Sequence, residues 1–202
     1  MLNWFLKCLC VSRSFLILRF NLLDMKVDNH NSHLWIFGYG SLMWRPDFEY
    51  IEKRVATLYG FHRALCIYSF NYRGTEQKPG LVFGLDRGGS CKGIVFRIRN
   101  TDQEKIFAQL HKREMPTKVY LPTWLKVQVE KNVIVAYGFV ADRNHKQYAT
   151  KLTEEQIISL VHQGYGSVGS CLDYVDKTLN HLMECGINEK KLNKMVNKVK
   201  NR

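Results

Sequence analysis

The chain has 202 residues, 46% of them hydrophobic and 24% charged, which is the balance of one ordinary globular domain. It is long enough to bury a core without disulfide staples. No stretch of 18 uninterrupted apolar residues occurs, which argues against a membrane-spanning helix, and no period of 20 to 50 residues marks a repeat array. The formal net charge is +12. Much of it sits at the ends: Ile187–Arg202 carries Lys190, Lys191, Lys194, Lys198, Lys200 and Arg202 against Glu189 alone. Such a run reads either as a nucleic-acid or membrane tether or as a solvated, frayed tail. The tail is the expectation, with no nucleic-acid partner and no stable membrane insertion.

Residues 1–25, within an extension over 1–32, are apolar and interrupted by Lys7, Arg13 and Arg19. They lack the clean apolar block and cleavage site of a secretory signal. They read as an extension outside the fold, with Met25 as an alternative start. Leu34–Phe37 is predicted to be a short buried strand ending at Gly38. Arg54–Tyr68 is predicted to be extended with one or two breaks. Leu81–Asp86 and Cys91–Arg99 are predicted as a hairpin about an Arg87-Gly88-Gly89 turn.

Thr101 and Glu104 have the spacing of a capping box that opens a helix, and Pro116 stops that helix near Glu114. Lys118–Glu130 and Asn132–Val140 are two more predicted strands. Thr153 and Gln156 form a second capping box, before a helix from Glu154 to about Gln163. A glycine turn follows, and a last core helix runs from about Cys171 to Glu184. Strands first and helices last predict an α+β fold with a largely antiparallel or mixed sheet.

Most isolated motifs have an ordinary reading. Gly164-Tyr165-Gly166-Ser167-Val168-Gly169 spells G-x-G-x-x-G, but it follows a helix rather than a strand, so it reads as a helix–helix turn and not a dinucleotide fingerprint. Cys8, Cys10, Cys66, Cys91, Cys171 and Cys185 form no C-x-x-C pair, so no zinc site is expected and the thiols read as reduced, cytoplasmic ones. Cys66 and Cys91 lie in apolar runs, where a buried inert thiol is the default. His30 with His33, and His111 with Glu114, lack partners at ligand spacing. Tyr68, Phe70, Tyr72 and Arg73 read as a core or cleft wall rather than a nucleic-acid stacking platform.

Phe37-Gly38-Tyr39-Gly40-Ser41-Leu42-Met43-Trp44 is different. A strand runs into two glycines, which let successive backbone N–H groups converge into an anion nest. The alternative is a tight turn with packed aromatics. The motif is joined by Tyr72-Arg73-Gly74-Thr75 with Pro79-Gly80, by Arg113-Glu114-Met115 with Tyr120-Leu121-Pro122-Thr123-Trp124, and by Gly166-Ser167-Val168-Gly169 with Asp173-Tyr174. Together, over about residues 33–185, these resemble the ChaC family of γ-glutamylcyclotransferases. Where other branches carry glycines after Arg-Glu, this chain has Met115-Pro116-Thr117, similar to a bacterial-type variant.

The resemblance implies a small mixed β-barrel with surrounding helices, a catalytic domain over 33–186, and a basic tail over 187–202. It implies a lyase that degrades glutathione to 5-oxoproline and cysteinylglycine without metal or cofactor. Glu114 is the implied general acid/base. Tyr39, Gly40, Ser41, Leu42, Arg73 and Tyr120 are the implied substrate-binding residues, with Arg73 ordering the pocket or pairing with a carboxylate. Burial against Trp124 or Phe107 is expected to raise the pKa of Glu114. Two alternatives stand beside this reading: a ligand-sensing regulator of cation transport, and a cyclotransferase for other γ-glutamyl amines. A sensor needs the nest but not a proton shuttle, so Glu114 favours the enzyme.

Overall fold

Two long strands carry the architecture of the computed structural model, which describes residues 34–201. β2 (Glu52–Ser69) and β3 (Gly80–Ile98) pair antiparallel from Glu52 opposite Arg97 to Ser69 opposite Gly80. β1 (Leu34–Gly38) pairs antiparallel with β3 over Leu34–Gly38 and Ile94–Ile98. β4 (Tyr120–Val129) and β5 (Asn132–Ala141) form a hairpin. β4 touches β2 at Thr57 and Leu58, and β5 runs parallel to β1 at Trp35 and Ile36. The result is a closed five-stranded barrel in the order β1-β3-β2-β4-β5. Closure leaves few strand edges open to other chains.

The hairpin expected within 81–99 does not form. β3 runs straight through Arg87-Gly88-Gly89, and its two halves both pair with β2. Between the pairs Tyr59–Ser90 and Phe61–Arg87, Gly60 faces two residues, Gly88 and Gly89. All three glycines have positive φ. The glycine pair therefore makes a bulge that bends a continuous strand. A second irregularity at Cys66 is the other break predicted in β2.

Helices pack on the barrel: α1 (Ser41–Trp44), α2 (Gln103–Glu114), α3 (Glu154–Gln163), α4 (Cys171–Glu184) and α5 (Lys190–Lys200). Ile106 and Leu110 of α2 join a buried cluster with Ile36, Ile98, Tyr137 and Phe139. Val161, Val175, Leu179 and Val196 of α3 to α5 join a larger one with Phe37, Leu81, Leu85 and Val95. Each such side chain contributes about 1.5–3 kcal/mol when buried. The capping box of α3 is present, with Thr153 and Gln156 bonded in both directions. The one predicted for α2 is absent. Asn100–Asp102 forms a 3-10 turn instead, which moves the cap to Asp102.

The glycine-rich turn is a two-residue hairpin, β6 (Tyr165–Gly166) with β7 (Gly169–Ser170). Its backbone lies on the loop after β2: the N–H groups of Ser167 and Val168 donate to the carbonyls of Asn71 (2.8 Å) and Tyr72 (3.1 Å). A Cβ at Gly166 would fall 2.2 Å from the Asn71 carbonyl oxygen. Close backbone approach explains the glycine without a nucleotide.

The basic C-terminal stretch corrects the expectation of a frayed tail. Lys190–Lys200 is helical, and Met195, Val196 and Val199 are buried in the larger cluster. Lysines occupy the other face, where Lys198 pairs with Glu154 (2.8 Å) and Lys200 with Asp176 (2.7 Å). Glu189, just before α5, pairs with Arg63, whose side chain is 1% exposed and also donates to the carbonyl of Tyr39 at 2.6 Å. The extension over 1–32 lies outside the described residues. Removing Glu189 would leave a buried guanidinium without its counter-ion. Glu189→Ala is expected to cost about 1–3 kcal/mol, seen as a fall in Tm of about 2–4 °C per kcal/mol. Deleting residues 187–202 should cost more. An unchanged Tm after the deletion would return the segment to the status of a tail.

Candidate active site

The site starts where β1 ends. The turn Gly38-Tyr39-Gly40 leads into α1, closed by bonds from Met43 N–H to the Gly40 carbonyl (3.0 Å) and Arg45 N–H to Ser41 (2.8 Å). The first N–H groups of a helical turn have no partner within it. Gly40, Ser41 and Leu42 line a recess of about 30 Å³, enough for a group or two of water size. Gly40 has a φ of −128°, so a left-handed backbone is not the reason for glycine here. The reason is room: a Cβ would lie 3.2 Å from the Tyr174 hydroxyl and 3.7 Å from Phe83 Cβ.

Glu114, the last residue of α2, lines the same recess. Burial pushes its carboxyl above the ordinary carboxylate range, and the guanidiniums of Arg113 and Arg45 offset this only in part. Trp124 and Phe107, the rings expected to bury it, are not among the residues lining the recess. Those rings pack on Tyr137. The neighbours of Glu114 in the recess include Tyr39, Tyr120 and Tyr174.

Arg113 ties this carboxylate to the α1 turn. Its Nε lies 3.0 Å from Glu114 Oε1. Nη2 donates to Ser41 Oγ at 2.9 Å, and Nη1 to the Arg45 carbonyl at 2.5 Å and to Asp47 at 2.8 Å. No role was assigned to Arg113 from sequence. The Arg-Glu pair was visible there, but not the span of the fork.

Between Gly80 and Asp86, β3 pairs with β2 on one side only. Side chains satisfy the other edge. Tyr120 Oη donates to the Phe83 carbonyl at 2.8 Å, and Tyr174 Oη accepts from the Phe83 N–H at 3.2 Å. Cys171 Sγ bonds both the N–H and the carbonyl of Leu81. Cys171 and Tyr174 are three apart on α4, so one helix face covers the edge. Among the described residues, the Tyr174 hydroxyl proton has no acceptor, which leaves it for a ligand. Burial raises Tyr39, Tyr120 and Tyr174, so all three stay neutral donors near neutral pH. The Asp173-Tyr174 motif gives Tyr174 no role by itself; its i, i+3 relation to Cys171 is the sequence signal that points to one.

The recess opens into a cavity of about 690 Å³ that shares Ser41, Glu114, Tyr120 and Tyr174 with it. Arg73 lines this larger space. Its Nη1 donates to the carbonyls of Val168 (2.8 Å) and Ser170 (3.2 Å), and its guanidinium sits 5.4 Å from the centre of the Tyr174 ring. It therefore orders the pocket wall through carbonyls rather than a carboxylate. Tyr68, Phe70 and Tyr72 line the cavity too, as the cleft-wall reading expected. Of the predicted site residues, Tyr39, Gly40, Ser41, Leu42, Tyr120 and Glu114 meet in the recess, and Arg73 stands apart in the cavity.

His111 is bonded to the Tyr137 hydroxyl rather than to Glu114. Burial pushes the Cys66 thiol up to about 12 and those of Cys91 and Cys171 to about 11, so they are inert near neutral pH. No group of three or more His, Cys, Asp or Glu side chains that could hold a metal occurs among the described residues.

A closed five-stranded barrel with helices packed around it is the γ-glutamylcyclotransferase fold. The chain superposes on a crystal structure of the yeast γ-glutamyl cyclotransferase specific to glutathione with a TM-score of 0.77 at 19% identity, covering 85% of this chain and 97% of that one. A family model described as ChaC-like protein matches residues 34–202, and the chain belongs to this family. It is 35% identical over 168 residues to the glutathione-specific gamma-glutamylcyclotransferase of Escherichia coli K12, covering 83% of this chain and 73% of that one. It is 29% identical to glutathione-specific gamma-glutamylcyclotransferase 1 of Homo sapiens, covering 79% and 74%.

Gly40→Val is expected to abolish substrate binding, because its side chain would take the space between the turn and the Tyr174 hydroxyl. Ser41→Ala should be milder, losing one bond to Arg113. Arg113→Ala releases both the turn and Glu114, with an expected loss of about 10²-fold in kcat/KM. Titration calorimetry and kinetics on the three variants check this; Ser41→Ala as damaging as Gly40→Val would make the hydroxyl the main contact.

Proposed function

We propose that the protein degrades glutathione by intramolecular cyclotransfer, releasing 5-oxoproline and cysteinylglycine. The observation that carries this reading is the Glu114 carboxylate, held with a raised pKa in the same recess as the Tyr39–Leu42 turn. The family membership and the names of the relatives support the substrate. In this reading Glu114 is the general acid/base. Tyr39, Gly40, Ser41, Leu42 and Tyr120 hold the γ-glutamyl group, and Arg73 shapes the wall. The free thiols of Cys66, Cys91, Cys171 and Cys185 fit a cytoplasmic enzyme. No helix among the described residues is long and apolar enough to cross a membrane.

The mechanism follows from the substrate carrying its own nucleophile. The α-amine attacks the γ-carbonyl and closes a five-membered ring. Holding the folded-over conformer contributes about 7–11 kcal/mol. The amine arrives as ammonium, and Glu114 takes its proton. N–H groups of the α1 turn and the free Tyr174 hydroxyl bear the oxyanion. The tetrahedral intermediate loses the second proton of its ring nitrogen to solvent and collapses, the amide C–N bond breaks, and Glu114 returns the first proton to the leaving amine. A carboxylate poised above its ordinary pKa suits both halves of this transfer. A purely ligand-sensing role would need the recess but not this carboxylate.

The purified chain given glutathione should release 5-oxoproline and cysteinylglycine, with or without EDTA. Glu114→Gln should lower kcat by about 10²–10⁴-fold while Tm and substrate binding stay near wild type. Only the ionised carboxylate is a base, so wild-type kcat/KM should fall as pH drops through the raised pKa of Glu114. That limb should lie above the ordinary carboxylate range, and Glu114→Gln should remove it. Near-normal turnover by Glu114→Gln would overturn the assignment.

A further inference from the structure

The two parts of the cavity differ in what they can discriminate. The recess is small, and Ser41, Glu114 and buried tyrosines bring polar groups to a lining it shares with Leu42, Phe83 and Phe139. It selects the γ-glutamyl end. The outer part, about 690 Å³, has the size of sites for much larger ligands. Its wall is partly aromatic. Tyr68 and Phe70, two apart at the end of β2, stack at 6.0 Å and 13°, with Ile67, Val82 and Trp44 also on the lining. Tyr68 packs against the larger buried cluster, but Phe70 belongs to none of the buried clusters. It is half-buried, stacks on Tyr68 and lines the cavity. Cations also line the outer part. Lys146 has no ion-pair partner among the described residues, and Arg45 is exposed beside Asp47. Glu76, and Glu114 where the recess opens, are the opposing charges.

We propose that the enzyme also cleaves glutathione S-conjugates, γ-glutamyl peptides whose cysteine sulfur bears an apolar or aromatic substituent, with that substituent lying on the Tyr68–Phe70 wall. The inference rests on the proposed cyclotransfer and extends its substrate class. A leaving group of this kind has the two features that the outer cavity offers to meet. Its terminal carboxylate suits Lys146 and Arg45, and its apolar arm gains from leaving water against aromatic rings. The chemistry is unchanged. The bond from the α-nitrogen to the γ-carbonyl carbon forms and the amide C–N bond breaks; one ammonium proton passes through Glu114 to the leaving amine, and the ring nitrogen releases a second to solvent. The thioether takes no part. Oxidised glutathione is a different case, because its substituent is a second charged tripeptide and an apolar wall does not repay its desolvation.

The test compares kcat/KM for glutathione, S-benzylglutathione, S-hexylglutathione and oxidised glutathione, by 5-oxoproline release from the full chain. The conjugates are expected to equal or exceed glutathione, and oxidised glutathione to fall about tenfold or more below it. Phe70→Ala should lower the ratio of S-benzylglutathione to glutathione by about tenfold. Phe70→Leu, which keeps bulk, should restore part of it. Conjugates cleaved about 10²-fold less well than glutathione, or a ratio that Phe70→Ala leaves unchanged, would overturn the proposal while the glutathione reading stands. No 5-oxoproline from any of the four would overturn the glutathione reading itself.

Discussion

A largely buried carboxylate, Glu114, is the constraint around which this molecule is arranged. Burying Glu114 disfavours its charge, and the fold lets that cost stand in part. Arg113 compensates with one contact and uses the rest of its fork on the α1 turn. Full compensation would give an ordinary acid with little basicity near neutral pH. No compensation would leave the group protonated. The geometry between these limits is that of a group that can take and return a proton.

The recess is built from an unfinished part of the barrel. Where β3 lacks a neighbour beside Gly80–Asp86, its backbone groups would be stranded in the interior. Cys171, Tyr174 and Tyr120 satisfy them. The same side chains then wall the site, so satisfying the edge and shaping the pocket are one structural act. Phe83 holds two tyrosines in place through its main chain, which fixes their hydroxyls more firmly than side-chain packing would.

The C-terminal half supports this arrangement from outside. The β6–β7 hairpin lies backbone to backbone on the loop after β2, and Arg73 clamps it by carbonyls. Glu189 neutralises Arg63, which holds the Tyr39 carbonyl and so the start of the α1 turn. A charge at the head of α5 therefore bears on the geometry of the site through one buried guanidinium.

Local signals decided the elements and the chemistry in the sequence. Hydrophobic alternation gave the strands, the Thr153–Gln156 box gave α3, and Pro116 ended α2 at Glu114, because each rests on neighbours within a few residues. Motif order pointed to the family, the barrel and Glu114 as the proposed acid/base residue. Tertiary structure decided what depends on partners distant in sequence. Gly88-Gly89 looks like a turn until β2 is beside it, and then it is a bulge. Lys190–Lys200 looks like a solvated tail until its apolar stripe meets the core. Arg113 and Tyr174 gain their roles from groups 72 and 91 residues away. Glu114 shares its recess with tyrosines from the turn after β1, from β4 and from α4, and no local pattern in the chain encodes that meeting.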